Sequence, residues 1–273
     1  MSIRFGVSPI AWINHDMPEL GAGTAIETVL RDARDAGFSG IELGGSFPRD
    51  PAALSALLEP VGLELVGGWY STGLLVRPVE EEIAALQPHL ALLKAMGSRV
   101  FIAAETSNAV HTDRGVPLGA APRLDDGEWP RFGARLSALA DYVQSEGLRF
   151  AYHHHLGTVV EQEGDIGSFL RHTGSHVGLT VDTGHAALGG AHVIELIARA
   201  PGRVAHVHCK DVRPDVFRRL QAAGGSFLDG VVEGMFTVPG DGAPDFSAVM
   251  QAPAGIDYSG WVILEAQQDP ARA

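Results

Sequence analysis

Short apolar runs alternate along the chain with longer segments whose apolar residues recur at helical spacing. The run IRFGVS (3–8) predicts a strand, and 24–37 predicts a helix with Thr24 as its N-terminal cap and Gly37 at its end. Irregular stretches are expected over 106–128 and 224–245. Further strands are predicted over 40–45, 63–70, 98–104, 148–154, 177–182, 203–211 and 260–266, and helices over 51–62, 79–97, 129–147, 164–174, 191–202 and 214–225.

Eight predicted strands separated by helices, with no linker between them, indicate a parallel sheet. Eight such units in a chain of 273 residues favour a single (β/α)8 TIM barrel domain over 1–273. The alternative is a doubly wound sheet. Its usual G-x-G-x-x-G turn after the first strand is missing, because that position reads SPIAWINHDM.

The composition restricts the class of partner. Apolar residues make up 45% and charged residues 19% of the chain, which is typical of a globular protein. A net charge of −13 argues against a nucleic-acid partner. The single cysteine, Cys209, permits no intrachain disulfide, and no apolar stretch suits a signal peptide or a membrane span. We therefore expect a cytoplasmic protein with no membrane partner.

Metal-binding and titratable side chains collect at the ends of the last four predicted strands. In a parallel barrel these ends meet at one rim, where TIM barrels carry their sites. A mixed set of histidine and carboxylate groups suits a divalent ion; we expect Mn²⁺ or Co²⁺, with Zn²⁺, Fe²⁺ and Mg²⁺ as alternatives. The groups are His153, His154 and His155 on the fifth strand, Asp182 and His185 in DTGH, His206, His208 and Lys210 on one face of the seventh strand, and Glu265 on the eighth.

Each of these residues also has a simple structural explanation. Asp182 could cap the next helix, and Glu265 could form an ion pair. Four structural coincidences on four successive strand ends are a poorer explanation than one shared site. Because adjacent strand residues face opposite ways, either His153 and His155 or else His154 points into the barrel. Candidate substrate contacts at other strand ends are Trp12, Asn14, Glu42, Trp69, Glu105 and, in a Pro/Gly loop, Asp241.

Five runs resemble a known family: HHHLGT, DTGH, HVHCKDVR, GMFTVPGDG and GWVILEAQQDP. Together they are similar to the inosose dehydratases of myo-inositol catabolism, within the xylose-isomerase-like barrel superfamily. The likeness spans nearly the whole chain and includes SPIAWINHDMPELG and GIELGGSFPRD. DTGH and HxHxKD are shared across the superfamily, whereas FTVPGDG, KDVR and HHHLGT are more specific to the dehydratases.

The resemblance implies a set of metal ligands. The superfamily usually takes Glu, Asp, His and Glu from strands five to eight, and the last three correspond here to Asp182, His208 and Glu265. The strand-five Glu is replaced, so His153 is the expected first ligand and His155 a substrate contact. A shift of one residue would select His154 instead. Glu161 is a weaker candidate ligand.

The resemblance also implies a reaction: loss of water from 2-keto-myo-inositol (scyllo-inosose) to give a trihydroxycyclohexane-1,2-dione. The partner would be this small cyclic polyol ketone, and a homo-oligomer is possible for such a barrel. Alternatives on the same fold are a sugar or keto-polyol isomerase or epimerase, a metal-dependent endonuclease-like protein, and a non-catalytic barrel. The acid and base would come from Glu265, His185, Lys210 and His155.

Overall fold

Within residues 3–269, nine strands pair in one parallel ladder, and a tenth, short strand pairs antiparallel with one of them. The structure is a computed structural model that describes residues 3–269. Its strands are β1 (Ile3–Val7), β2 (Gly40–Ile41), β3 (Glu64–Leu65), β4 (Trp69–Thr72), β5 (Val100–Glu105), β6 (Arg149–His153), β7 (Val177–Asp182), β8 (Val204–Val212), β9 (Phe236–Thr237) and β10 (Gly260–Glu265). The helices are α1 (Ile26–Asp35), α2 (Pro51–Leu58), α3 (Val79–Ala95), α4 (Trp129–Ser145), α5 (Glu163–His172), α6 (Thr183–Leu188), α7 (Val193–Arg199), α8 (Pro214–Ala223), α9 (Phe227–Glu233) and α10 (Phe246–Gly255).

The two ends of the ladder meet in the predicted third strand, 63–70, which forms as two pieces, β3 and β4. The ladder runs in the order β3-β2-β1-β10-β8-β7-β6-β5-β4. The first piece pairs with β2 and the second with β5, so the ladder closes into a barrel. Gly67 lies at the break, where the Leu43 N–H donates to its carbonyl at 2.9 Å. A Cβ on Gly67 would lie 2.9 Å from Val100 Cγ1, so glycine lets the chain at this break approach β5 closely. The predicted TIM barrel is confirmed; its predicted bounds, 1–273, stay a prediction.

The barrel interior changes character along its axis. Towards the amino ends of the strands it is filled by small and branched apolar side chains, among them Val100, Ala151 and Ile263. Two residues further along the same faces, β6 and β10 carry His153 and Glu265. This half-apolar, half-polar interior places the polar groups at the carboxyl ends of the strands, as parallel barrels do.

A β-bulge adjusts β8 to this arrangement. Leu179 pairs with Val204 and Thr180 pairs with His206, so Ala205 is an extra residue in the ladder. Beyond the bulge His208 and Lys210 follow His206 at intervals of two residues and so share a face. The bulge thereby allows the buried Ala205 to join the apolar interior while His206 begins the polar face.

A second apolar cluster covers the carboxyl ends of the strands. It includes Phe227 and Phe236, which belong to elements within the stretch expected to be irregular, 224–245. Ser226 starts α9 with a reciprocal capping box with Asp229, so local sequence does support a helix there. Three helices, α6, α9 and α10, and the short strand β9 were not predicted; all are ten residues long or shorter.

Two other expectations need correction. The first helix begins after Ala25, and its N-terminus has no side-chain cap, so Thr24 does not serve as one. The second strand is only two residues long, although the N–H groups of Glu42 and Leu43 still donate to the Val7 and Gly67 carbonyls. Within residues 3–269 no helix combines the length and the apolar character needed to cross a bilayer.

Gly133 offers a test of helix packing around the barrel. A Cβ at this position in α4 would lie 2.1 Å from the carbonyl oxygen of His172 at the end of α5, and backbone cannot move aside cheaply. We expect Gly133→Ala to destabilise the protein by about 1–3 kcal/mol through overpacking. Gly164→Ala in α5 is the matched control, since its Cβ would meet nothing within 4 Å, and it should be neutral or stabilising by up to about 1 kcal/mol. Urea unfolding of both variants measures the difference; equal stabilities would contradict the close α4–α5 contact.

Candidate active site

A cavity of about 220 Å³ opens at the carboxyl ends of the barrel strands. Its walls combine imidazole, carboxylate and ammonium groups with one indole ring. The Trp69 ring lies 5.3 Å from the His153 ring and 5.6 Å from the His155 ring, centroid to centroid. The lining residues that bear on chemistry are His15, Asp16, Glu42, Trp69, His111, Thr112, His153, His155, His208, Lys210, Glu265 and Gln267.

Three buried side chains converge beside this cavity. Asp182 Oδ2 lies 3.5 Å from His153 Nε2 and 3.7 Å from His208 Nδ1, and the two ring nitrogens are 3.3 Å apart. Oδ2 is buried and has no hydrogen-bond partner, although a buried carboxylate oxygen is normally satisfied. Glu265 Oε2 lies 3.6 Å from the same His208 nitrogen. His153, Asp182 and His208 have the donor set and the spacing of a divalent-metal site, and Glu265 lies beside them.

Hydrogen bonds on the far side of each imidazole orient the two histidines. His208 Nε2 lies 3.0 Å from Glu42 Oε1, and His153 Nδ1 lies 2.7 Å from the carbonyl of His154. Both partners can only accept, so each of these ring nitrogens must donate. The opposite nitrogens, His153 Nε2 and His208 Nδ1, are turned towards Asp182 Oδ2. Burial lowers the pKa of His208, but Glu42 and Glu265 outweigh it and raise the pKa well above 6.5, so an ion bound here would displace the proton of this ring. Such second partners are what orient histidine ligands in metalloproteins.

Glu42, His206 and His208 form a second group with metal-binding spacing. Glu42 Oε1 already accepts from His206 Nε2 at 2.9 Å as well as from His208. Burial would raise the pKa of Glu42, but the neighbouring His208 and His206 outweigh it and lower the pKa to about 2. Glu42 is thus a satisfied carboxylate that lines the cavity and holds two imidazoles. The group around the unpaired Asp182 oxygen fits an ion better.

Lys210 links the predicted acid–base residues. Its Nζ lies 2.8 Å from Glu265 Oε2, 3.0 Å from Gln267 Oε1 and 3.1 Å from His185 Nε2. Burial lowers the pKa of Lys210, but Glu265 and Asp182 outweigh it, so the pKa is raised. For Glu265 the balance is opposite: burial raises its pKa, yet Lys210 and His208 hold it well below its ordinary value. Near neutral pH this is a charged, hydrogen-bonded ammonium–carboxylate pair at the cavity wall.

His155 and His185 form a neutral pair behind that wall. Their ring centroids are 3.7 Å apart. Burial lowers the pKa of both well below 6.5, with further lowering of His155 by His111 and of His185 by His155. His155 lines the cavity, whereas His185 is fully buried and reaches it only through Lys210.

The three histidines of HHHLGT, at the end of β6 and just after it, lie in two different environments. His153 and His155 line the cavity, while His154 lies on the opposite face and is fully buried. The Nε2 of His154 accepts from the backbone N–H of Asp182 at 3.3 Å. Glu161 does not reach the cavity, because its Oε2 accepts from the Gly157 N–H at 2.7 Å.

Two predicted substrate contacts after β1 lie outside the cavity lining. Trp12 is half-buried and its Nε1 donates to Asp32 at 3.2 Å, so it packs against α1 and does not floor the cavity. Asn14 is buried, and its Oδ1 accepts from the backbone N–H groups of Asp16 and Met17. Asn14 thereby shapes the loop that carries Asp16 into the cavity.

Glu105 and Asp241 also have structural roles in place of the predicted contacts. Glu105 is fully buried, and its Oε2 accepts from Thr72 Oγ1 at 2.8 Å and from the Leu74 N–H at 2.6 Å. It holds the chain that leaves β4. Asp241 is more than half exposed and pairs with Arg213 at 2.6 Å within its loop. Neither residue lines the cavity.

The cavity contains residues that the strand-end argument missed. His15 and Asp16 come from the loop after β1, and His111 and Thr112 come from the stretch expected to be irregular, 106–128. Gln267 could have been found, because it follows Glu265 by two residues and continues its face. The others lie in loops, where sequence periodicity gives no direction.

Comparison with known proteins agrees with this geometry. A family profile described as "Xylose isomerase-like TIM barrel" matches residues 30–273. The chain is 44% identical over 273 residues to the rhizopine catabolism protein MocC of Rhizobium meliloti, covering 100% of this chain and 84% of MocC. It is 38% identical over 276 residues to an inosose dehydratase of Lacticaseibacillus casei, covering 100% of this chain and 92% of that enzyme.

Among solved structures, an L-ribulose 3-epimerase superposes with a TM-score of 0.68 over 97% of this chain and 82% of that one. At 19% sequence identity this is a likeness of fold alone. The profile match and the full-length relatives go further. The chain belongs to the xylose isomerase-like TIM barrel family, and within it to the group that contains the inosose dehydratases and MocC.

Proposed function

We propose that the protein is a metal-dependent dehydratase that removes water from 2-keto-myo-inositol and gives a trihydroxycyclohexane-1,2-dione. The observation that carries the proposal is the unpaired, buried Oδ2 of Asp182 facing His153 and His208 beside a small polar cavity. The full-length relatives support the reaction class, since one of them is an inosose dehydratase at 38% identity. Cytoplasmic location and association into a homo-oligomer stay predictions.

The reaction needs one proton acceptor and one proton donor. The ketone acidifies the proton on its neighbouring carbon; a base takes that proton, and the hydroxyl on the next carbon leaves with a proton as water. The resulting enol tautomerises to the 1,2-dione. Acid–base groups must therefore lie on the cavity wall within hydrogen-bond reach of the ring.

His153, Asp182, His208 and Glu265 would hold the metal ion. A bound divalent ion supplies a positive charge that polarises the ketone. Mn²⁺ or Co²⁺ is proposed, with Zn²⁺, Fe²⁺ and Mg²⁺ as alternatives for a histidine–carboxylate set. The fit rests on the ring nitrogens of His153 and His208 that are turned towards Asp182 and on its unsatisfied carboxylate oxygen.

Lys210 and Glu265 are the proposed acid–base pair. They are 2.8 Å apart and both line the cavity. Once the carboxylate has accepted a proton and the ammonium has donated one, a proton transfer from the carboxylic acid to the amine restores both groups. In this proposal Glu265 accepts the proton next to the ketone and Lys210 donates to the departing hydroxyl. His185 positions Lys210 from behind, and His155 contacts the substrate ring.

The alternatives differ in what happens to the proton. An isomerase or epimerase returns it to the substrate, which leaves the mass unchanged. A nuclease would need a basic groove, against a net charge of −13. A non-catalytic barrel would retain no turnover at all. The 44% identity to MocC supports testing a rhizopine-derived substrate as a second candidate.

Substitution of the proposed ligands should empty the site. Asp182→Asn keeps an oxygen for the helix cap but replaces the free carboxylate oxygen, and His208→Ala removes the central imidazole; both should lose bound metal and activity while remaining folded. His206→Ala is the control, because it touches Glu42 but lies outside the proposed ligand set. Metal analysis of the purified variants measures this. Loss of metal from His206→Ala and His208→Ala but not from Asp182→Asn would assign the ion to the Glu42 group instead.

The substrate assignment predicts a product lighter than 2-keto-myo-inositol by one water. The metal-reconstituted protein should form this dione and should leave xylose and other aldoses unchanged. Mass spectrometry of the reaction mixture gives the answer directly. An isomer of unchanged mass would favour the isomerase or epimerase alternative.

Substitutions of the two cavity histidines of HHHLGT, His153 and His155, should have different effects. His153→Ala removes one of four ligands, so its activity should be partly restored by excess metal ion. His155→Ala should keep its metal but lose about 1–3 kcal/mol of transition-state stabilisation, the scale of an unmade buried hydrogen bond. Steady-state kinetics with and without added ion separates the two. Full metal retention in His153→Ala without added ion would remove His153 from the ligand set.

A further inference from the structure

The segment over 106–128 brings one histidine into the cavity from outside the barrel strands. His111 lines the cavity and is only 7% exposed. Its ring lies 4.8 Å from that of His155 and 6.3 Å from that of Trp69. The imidazole therefore forms part of the cavity wall beside His155.

The HHHLGT motif fixes the position of His111. Gly157 of that motif has φ +81°, and a Cβ there would lie 3.0 Å from the His111 backbone nitrogen and 3.1 Å from its Cβ. The Val110 N–H donates to the Gly157 carbonyl at 2.8 Å, and the Gly157 N–H donates to Glu161 at 2.7 Å. Glycine is required here both for its left-handed backbone and for this close approach. The segment is thus held against the loop after β6 at His111, next to Thr112, which also lines the cavity.

The ring of His111 has a free hydrogen-bonding capacity. Its Nδ1 is buried without a partner, and within the described range 3–269 no hydrogen bond joins either ring nitrogen to another protein group. By contrast, the cavity histidines His153, His155 and His208 each have at least one hydrogen-bonded ring nitrogen. A buried polar group left unpaired costs stability and therefore calls for a functional explanation.

Asp16 provides a second polar group at the cavity outside the proposed metal-binding residues. It comes from the loop after β1 that Asn14 shapes, and it lines the cavity with its side chain 16% exposed. Its only ion-pair partner within 4.0 Å, among the residues described, is His15, at 3.9 Å. Burial lowers the pKa of His111, against an opposing effect of Asp16, so the ring is neutral at pH 7 and can both donate and accept.

We propose that His111 and Asp16 form a subsite that binds ring hydroxyls of the cyclic polyol, separate from the metal-binding residues. A neutral imidazole and a carboxylate together match a pair of neighbouring hydroxyl groups, each of which donates and accepts one hydrogen bond. Buried polar groups of this kind discriminate strongly against molecules that lack the matching hydroxyl. The inference rests on the proposed function and extends it to substrate recognition.

The test compares His111→Leu, which keeps bulk but no hydrogen bond, with His111→Gln, whose amide retains one. With 2-keto-myo-inositol, His111→Leu should raise KM by about tenfold or more, as expected for an unmade hydrogen bond, while kcat changes less than about threefold. His111→Gln should recover most of the affinity, and metal content should be normal in both. His89→Leu is the control: this half-buried histidine bonds Gly68 outside the cavity, so its loss should affect unfolding temperature but not KM.

Binding of myo-inositol, measured by calorimetry, makes the test independent of turnover. If the wild-type protein does not dehydrate the ketone, the proposed reaction fails; weaker polyol binding by His111→Leu than by wild type would still support the subsite. An unchanged KM or affinity in His111→Leu would overturn the subsite while leaving the dehydratase proposal standing. No polyol binding by the wild type, or a His111→Gln variant as impaired as His111→Leu, would also overturn it.

Discussion

Asp182 ends β7 and begins α6, and its two carboxylate oxygens serve different purposes. Oδ1 accepts the N–H groups of Gly184 and His185, which caps α6. Oδ2 remains free and faces His153 and His208. The backbone N–H of the same residue donates to His154. One residue therefore ties the strand, the helix and three histidines to a single point, and the geometry of the site depends on it.

Charge burial at this point has to be compensated. Asp182, Glu42 and Glu265 are all buried carboxylates, and removing each charge from water costs several kcal/mol. The compensation comes from Lys210 and His208, which lie within 4 Å of these carboxylates. Replacing such buried ion pairs with apolar residues is often neutral or stabilising, so the pairs are weak evidence for a structural role. Their position at a cavity is better explained by chemistry.

The sequence predicted the barrel and the rim well because both depend on local patterns. Period-two alternation placed His208 and Lys210 on one face, and strand ends placed Asp182 and Glu265 beside them. Alternation alone could not say whether His153 or His154 points inward, because a register shift of one residue exchanges the faces. The closed barrel resolves this choice, since Ala151 and Ile263 fill the interior and fix the direction of every second residue.

The sequence predicted less of the loops, because their side chains are directed by contacts distant in sequence. Glu105 and Asp241 were predicted as substrate contacts. Glu105 instead accepts from the backbone of Leu74, and Asp241 pairs with the side chain of Arg213. His111 gave no periodic signal, since its position is set by Gly157, 46 residues further along the chain. Asp16 likewise depends on the side chain of Asn14.

These contacts give every chemically distinctive position of HHHLGT a separate physical reason. His153 faces the unpaired oxygen of Asp182, His154 bonds the backbone of the same residue from behind, and His155 lines the cavity. Gly157 then holds the backbone that carries His111 into the cavity. A change at any one of these positions therefore disturbs a different contact. The run joins the proposed metal site to the proposed polyol subsite within five residues.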